Sequence, residues 1–120
     1  MFKYYNANPE DINIGDCVIR AIANALNKPY SEILYQLFEI SNYFNCNMIV
    51  KDCYNILLND YYGFKCYNGM GNTVKQVAND FRDKTLIIRI EGHLTMSRNG
   101  IIEDTWNCED KIVDVFWIVD

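Results

Sequence analysis

The chain has 120 residues, half of them hydrophobic and 22% charged, and carries a net charge of −5. This composition predicts one folded domain with its own core and excludes a disordered segment. Its eleven Lys and Arg residues are scattered among sixteen acidic residues, which argues against binding to a nucleic-acid backbone.

Signals for export, membrane insertion and metal binding are missing from the sequence. The first residues contain no apolar signal core, and no apolar run has the length of a transmembrane helix. The cysteines are odd in number and form no Cys-x-x-Cys pair, so neither a disulfide framework nor a classical zinc site is predicted. We therefore expect a cytoplasmic protein without membrane association. The five cysteines are Cys17, Cys46, Cys53, Cys66 and Cys108.

Helical patterns fill the first two thirds of the chain. Residues 1–14 are expected to form an irregular arm, with a turn at Asn8–Pro9. Apolar residues at helical spacing then predict a helix from Cys17 to Leu26, with Asp16 as its N-cap. Further elements are predicted as helices over about 30–42, over 47–60 and from a Thr73 cap to about 81, and as a short strand over 64–67.

The last third changes to strand patterns. Residues 85–90 are compact and β-branched, which is typical of a buried strand. Asn99–Gly100 lies between two alternating runs and predicts a two-residue hairpin turn. A last strand is predicted over residues 112–119. Helices followed by strands predict an α+β domain in which an N-terminal helical half packs on a C-terminal antiparallel sheet.

Cys17 stands at the mouth of the first predicted helix. A helix N-terminus stabilises a thiolate through its dipole and free N–H groups, and these groups are also suited to hold a developing oxyanion. The neighbouring carboxylate of Asp16 works against the thiolate, because two negative charges repel each other. An imidazolium beside the thiolate would outweigh that repulsion.

The only histidine, His93, opens the predicted hairpin. With a two-residue turn, His93 and Asp104 share one face as diagonal neighbours, while Glu103 points to the other face. Asp104 would then accept a hydrogen bond from one ring nitrogen while the other faces Cys17. Trp106, directly opposite His93, would shield the pair from water. A three-residue turn would reverse these faces.

These residues resemble the papain-like cysteine peptidase superfamily. The likeness is to its small single-domain members in bacteria and phages, such as bacteriocin-processing peptidase domains. It covers nearly the whole chain: Asp16–Cys17 opening a long helix, a helical middle, then His93 and Asp104 on adjacent strands. The resemblance implies a single papain-like domain over 1–120, in which Cys17 is the nucleophile, His93 the general base and later acid, and Asp104 the residue that orients His93.

The chain departs from the family pattern at the oxyanion hole. Many members carry a Gln six residues before the Cys, and here that position is Asp11. Asn13 is the nearest side-chain amide and is the predicted substitute, while the backbone N–H of Cys17 needs no side chain. Asn107 is an alternative third member of the triad, because papain-like enzymes also use Asn, although the predicted register puts it on the wrong face.

The resemblance implies a cysteine hydrolase that cleaves a peptide, isopeptide or amide bond of a peptide or protein substrate through a thioester on Cys17. It implies no metal or organic cofactor. A transferase would use the same triad, because an amine and water compete for one thioester. The missing Gln favours a different hypothesis, a non-catalytic binding or regulatory protein on the same fold, for instance a phage protein that targets a host factor.

Overall fold

A six-stranded sheet separates two layers of helices in the computed structural model, which describes residues 1–12 and 14–120. The helices are α1 (Cys17–Leu26), α2 (Tyr30–Phe44), α3 (Lys51–Asn55), which continues as a π-helical segment (Ile56–Tyr61), and α4 (Val74–Asp80). The strands are β1 (Phe2–Tyr4), β2 (Cys66–Asn68), β3 (Thr85–Ile90), β4 (His93–Arg98), β5 (Ile101–Asp104) and β6 (Val113–Ile118). None of the helices among these residues is long and apolar enough to cross a membrane.

The strands lie in the order β1-β5-β4-β3-β6-β2. Neighbouring strands are antiparallel except β1, which pairs in parallel with β5. The predicted α+β class is confirmed, but the expectation of a purely C-terminal, antiparallel sheet is wrong on two counts. The sheet takes β1 from the N-terminal arm and β2 from the helical half. Strand β1 has only three residues, too short a run for alternation to reveal a strand, whereas β2 overlaps the short strand predicted over 64–67.

Both faces of the sheet are covered, and this explains why three consecutive residues of β3, Leu86–Ile88, are apolar and buried. Ile87 faces the layer of α1, α2 and the π-helical segment, together with Leu94, Met96 and Trp117. Leu86 and Ile88 point to the opposite face and pack with α4. The predicted helical half is therefore divided between the two faces of the sheet. Helices α1 and α2 and the π-helical segment cover one face, and α4 covers the other.

Helix α1 is the central helix of the larger core. Seven of its ten residues are buried, and it packs along β4. The helix ends at Asn27, which adopts a left-handed conformation (φ +55°), and Pro29 follows. Its boundaries coincide with the prediction. Because α1 begins beside the first residue of β4, it brings the predicted nucleophile to one end of the sheet.

Of the later helices, α4 begins where it was predicted and α3 does not. Thr73 caps α4 through a capping box with Gln76, as its sequence pattern predicts. The helix predicted over 47–60 begins only at Lys51, because residues 47–50 form a turn in which the Asn47 side chain accepts from the Ile49 N–H. It then widens into the π-helical segment, which the apolar spacing did not indicate.

The hairpin between β4 and β5 has the predicted two-residue turn. Asn99 and Gly100 both have positive φ (+55° and +77°), as a type I′ turn requires. The register pairs Ser97 with Ile102 and Arg98 with Ile101, again as predicted. This register fixes which side chains of the two strands share a face, and so it places the end of β5 beside the start of β4.

Candidate active site

The three predicted catalytic residues meet at one end of the sheet. Cys17 is the first residue of α1, His93 is the first residue of β4, and Asp104 is the last residue of β5. Each is held at the end of a regular element that contributes residues to a hydrophobic core. Their relative positions are therefore set by rigid parts of the fold.

The imidazole of His93 is fixed from one side by Asp104. His93 Nε2 lies 2.7 Å from Asp104 Oδ2, and the two side chains are only 10% and 6% exposed. The other carboxylate oxygen, Oδ1, accepts a hydrogen bond from the backbone N–H of Thr105 at 2.7 Å. Because Nε2 is taken, Nδ1 is the ring nitrogen left for the Cys17 thiol.

Trp106 packs against the same imidazole. The ring centroids of His93 and Trp106 are 4.9 Å apart, with the planes tilted by 55°. Trp106 keeps 40% of its surface exposed, so it covers the ring from the solvent side. This position fits the predicted shielding role, although Trp106 does not line the cleft described below.

The charges at the site favour a thiolate beside an imidazolium. Burial alone would lower the pKa of His93, but the hydrogen bond to Asp104 and the interaction with Cys17 outweigh it and raise this pKa to about 9. Burial alone would raise the pKa of the Cys17 thiol. The His93 ring, the backbone of Leu94 and the charge of Arg20 outweigh that effect, so the pKa falls below its ordinary value.

The pKa of Asp104 is also set by burial and hydrogen bonding, which act in opposite directions. Burial disfavours its ionised form, yet the hydrogen bond to His93 is the largest of several interactions that bring its pKa below the ordinary value. Its carboxyl is therefore ionised at neutral pH. An ionised Asp104, a protonated His93 and a thiol with a lowered pKa form the charge distribution of an activated cysteine nucleophile.

Asp16 does not play the predicted part. It occupies the N-cap position, but its side chain makes no capping hydrogen bond and is buried. Its Oδ2 accepts from Asn8 Nδ2 at 2.9 Å and from the Tyr30 hydroxyl at 2.7 Å, and its Oδ1 accepts from Arg20 at 2.6 Å. The sequence predicted Asp16 to be an oxyanion or cleft residue. The structure does not place it there, because these three partners hold its carboxylate in the interior.

The first turn of α1 receives no capping hydrogen bond from the Asp16 side chain as a result. The first N–H groups of a helix have no partner within the helix, and Asp16 caps none of them. The Asp16 side chain therefore does not occupy the backbone N–H of Cys17, the donor that the sequence analysis names for an oxyanion. Asp11 is an exposed residue with positive φ (+53°). Asn13, the predicted side-chain donor, lies outside the described residues.

An open cleft of about 740 Å³ begins at Cys17 and His93. Its helical wall consists of residues 49–51 and Tyr54, and its sheet wall consists of residues 89–94 and 112–114. This volume lies in the range of ligand-binding pockets. Cys17 is partly exposed here, so a bound molecule has access to its thiol.

The sheet wall of the cleft carries a fixed cation, Arg89. Its Nε donates to Asp114 Oδ2 at 2.9 Å, and one terminal nitrogen donates to Asn55 Oδ1 at 3.2 Å. The guanidinium also stacks 5.7 Å from the centroid of Trp117. The cleft thus combines apolar side chains with a paired positive and negative charge.

The rival third member of the triad is not placed against His93. Asn107 is exposed, and its side chain accepts from the backbone N–H of Glu109 at 3.0 Å. Glu103 is also turned away, as predicted, and bonds to Asn24 and Arg98 at 3.0 and 2.9 Å. The carboxylate beside the imidazole is that of Asp104.

One of the other cysteines, Cys108, lies beside the His93–Asp104 pair. The thiol of Cys108 is buried, and its sulfur, a ring nitrogen of His93 and a carboxylate oxygen of Asp104 all lie within 4.8 Å of one another. Burial raises the pKa of Cys108 to about 11, so this thiol is neutral and packs behind the His93–Asp104 pair. Among the described residues these three are the group that could hold a metal ion.

Two residues at the site were not singled out by the sequence. Arg20 is buried in α1 between Asp16 and Asp104, and Tyr54 lines the cleft. The signal for Arg20 was present as a charged residue in an otherwise apolar helix, four positions after Asp16. Tyr54 has no such signal, because only tertiary packing brings it to the cleft.

Comparisons with protein-family models, with curated proteins and with solved structures find no match to this chain. No relative therefore assigns a function to the site. Its chemistry has to be inferred from its own geometry.

Proposed function

We propose that the protein is a cysteine hydrolase with a papain-like catalytic arrangement, acting on a peptide, isopeptide or amide bond. One observation carries the proposal. The Cys17 thiol at the N-terminus of α1 and the His93–Asp104 pair, joined at 2.7 Å, converge at the end of an open cleft. The order Cys, His, Asp along the chain and the helix start at Asp16–Cys17 are those of the family that the sequence resembles.

The first half of the reaction forms a thioester. The Cys17 thiolate attacks the carbonyl carbon of the substrate, a C–S bond forms, and the carbonyl oxygen becomes an oxyanion held by the backbone N–H of Cys17. The tetrahedral intermediate then collapses and the C–N bond breaks. His93, protonated at the start because its pKa is about 9, gives its proton to the leaving amine.

The second half releases the product. The neutral His93 ring takes a proton from water, and the resulting hydroxide attacks the thioester carbonyl. The C–S bond breaks, a carboxylic acid leaves, and the thiolate–imidazolium pair is restored. Asp104 keeps its negative charge throughout and orients the ring. An amine in place of water would give a transferase by the same steps.

The cleft supports an extended, largely apolar substrate such as a peptide. Ile49 and Val50 are more than 40% exposed on its helical wall, and Ile112 is 58% exposed on its sheet wall. A substrate between the walls would cover these side chains. The polar groups of the cleft, Arg89 and Asp114 among them, would then fix its orientation.

The first test is site-by-site labelling with iodoacetamide, followed by mass spectrometry as a function of pH. Cys66 serves as an internal reference, because this residue is exposed to solvent. Partial burial of its thiol raises the pKa of Cys66 above the ordinary value. We expect Cys17 to label faster than Cys66 near neutral pH, and His93→Ala to remove this advantage. Equal labelling of the two thiols in the wild type would refute the proposal.

A second test looks for turnover. A peptide library is incubated with the wild type and with Cys17→Ala, and new amino termini are identified by mass spectrometry. Cleavage that depends on Cys17 supports a hydrolase. A reactive Cys17 without any cleavage or transfer would instead favour the non-catalytic binding protein, the hypothesis suggested by Asp11 at the position of the family's Gln.

A further inference from the structure

A buried cation connects the nucleophile helix to the strand that carries Asp104. Arg20 Nη1 lies 2.6 Å from Asp16 Oδ1, and its Nη2 lies 4.0 Å from Asp104 Oδ1. All three side chains are at most 8% exposed. Nη1 also lies 3.4 Å from the backbone oxygen of Ile14, just before the helix. Arg20 therefore touches both sides of the junction at which Cys17 meets His93.

The charge of Arg20 offsets the unfavourable negative charge next to the predicted nucleophile. Asp16 is the residue before Cys17, and its negative charge opposes formation of the thiolate. Arg20 neutralises that charge directly, and its own positive charge stabilises the thiolate as well. Its second contact is to Asp104 Oδ1, while Oδ2 of the same carboxylate holds the imidazole. Breaking a buried pair by removing one partner is costly, because an uncompensated charge remains.

We propose that Arg20 is a positioning residue of the candidate active site, acting through Asp16 on Cys17 and through Asp104 on His93. It touches no reacting atom. This inference rests on the proposed function. Arg20 holds the N-terminus of α1 against the end of β5 and balances two carboxylates that would otherwise leave the site too negative for a thiolate.

The charged and titratable groups around Arg20 come from α1, α2, β4 and β5, and from the N-terminal arm. Asp16 and Cys17 lie at the start of α1, the Tyr30 hydroxyl comes from α2, His93 from β4 and Asp104 from β5. Tyr5 and Glu103 line the same small cavity beside Arg20. Glu103 is paired with Arg98, so Asp16 and Asp104 are the carboxylates for which Arg20 is the cation.

Loss of the Arg20 charge and loss of the Asp16 charge should shift the titrations of Cys17 and His93 in opposite directions. Without the charge of Arg20, thiolate formation at Cys17 becomes harder and the imidazolium of His93 becomes easier to form, so both titrations move to higher pH. Without the charge of Asp16, both move to lower pH. An opposite or like charge within about 4–6 Å of a titrating group shifts its titration by about 1 pH unit or more.

The experiment measures both titrations in Arg20→Gln, Arg20→Lys and Asp16→Asn. Cys17 is followed by iodoacetamide labelling, and His93, the only histidine in the chain, by the NMR signal of its ring. We expect upward shifts of about 1 pH unit in Arg20→Gln, a near-normal profile in Arg20→Lys, and downward shifts in Asp16→Asn. Arg98→Gln is the matched control, because Arg98 also joins α1 to β5, through Asn24 and Glu103, but does not contact Asp104.

The outcomes separate this inference from the proposed function. If Cys17 of the wild type is not activated, the proposed function fails. If Cys17 is activated but Arg20→Gln and Asp16→Asn leave both titrations within 0.2 pH units of the wild type, or shift them in the same direction, only the role of Arg20 is refuted. Should Arg20→Gln not fold, Arg20→Gln is added to Asp16→Asn instead, where it should still move both titrations to higher pH; no upward shift relative to Asp16→Asn alone would refute the role of Arg20.

Discussion

Replacing Asp104 by Asn removes the charge that holds His93 protonated while keeping an oxygen that accepts its hydrogen bond. The pKa of His93 is about 9, against 6.5 for the free residue. At about 1.36 kcal/mol per pH unit, this rise corresponds to about 3 kcal/mol in favour of the imidazolium, after the opposing effect of burial. Asp104 is the largest favourable contributor, followed by Cys17.

The expected result for Asp104→Asn is a fall of about 2 pH units in the His93 titration, since a single opposite charge at this distance accounts for 1–3 units. The measurement is an NMR titration of the one imidazole, which needs no assignment. We also expect the Cys17 titration to move to higher pH, because a neutral ring no longer stabilises the thiolate.

Two controls make the Asp104 prediction specific. Asn107→Ala removes the rival third member, whose side chain bonds to the Glu109 backbone, and should leave the His93 titration unchanged. Asp110→Asn removes an exposed carboxylate and tests for a general charge effect. A His93 pKa that stays near 9 in Asp104→Asn, or that falls as far in Asn107→Ala, would refute the reasoning.

Three further predictions concern the stability of the fold and can be checked by urea denaturation. Ile22→Ala, at a completely buried position of α1, should lower the free energy of unfolding by about 2–5 kcal/mol, whereas Ile14→Ala, at a position 51% exposed, should change it by less than about 0.5 kcal/mol. Gly100→Ala should cost about 1–2 kcal/mol, because Gly100 has φ +77° in the hairpin turn, and an unchanged midpoint would contradict that conformation. In a Cys17→Ser background, which lacks the thiol that titrates in the same range, the raised pKa of His93 should stabilise the fold fully below pH 6.5. That stabilisation should be lost, by about 2 kcal/mol, as pH rises through the His93 pKa of this variant, which lies below 9 because Cys17 no longer raises it, and His93→Gln should abolish the slope.

The local signals of the sequence were sufficient for the elements that carry the site. The helix from Cys17 to Leu26 and the strand Thr85–Ile90 have their predicted bounds, and the Asn99–Gly100 turn has its predicted length. Turn length alone fixes the register of a hairpin, and a hairpin register fixes its faces. This is why Asp104 could be placed beside His93 from the sequence, and Asn107 could not.

Charge partners across elements were not predictable in the same way. Asp16 has the sequence signature of an N-cap, yet it bonds to Asn8, Arg20 and Tyr30, which converge on it from before, within and after α1. An N-cap propensity reflects local competition for backbone N–H groups, and a buried cation outweighs it. As a consequence, the Asp16 side chain accepts no hydrogen bond from the N–H groups of the first turn.

The sequence by itself determined the α+β class, the helix that presents Cys17 and the hairpin that joins His93 to Asp104, because periodicity and turn chemistry are local properties. Tertiary structure alone decided the parallel edge strand β1, the second helical layer, the cleft and the position of Arg20 between two carboxylates. These features depend on contacts between residues far apart in the chain. No local pattern specifies such contacts, because they form only when the whole core packs.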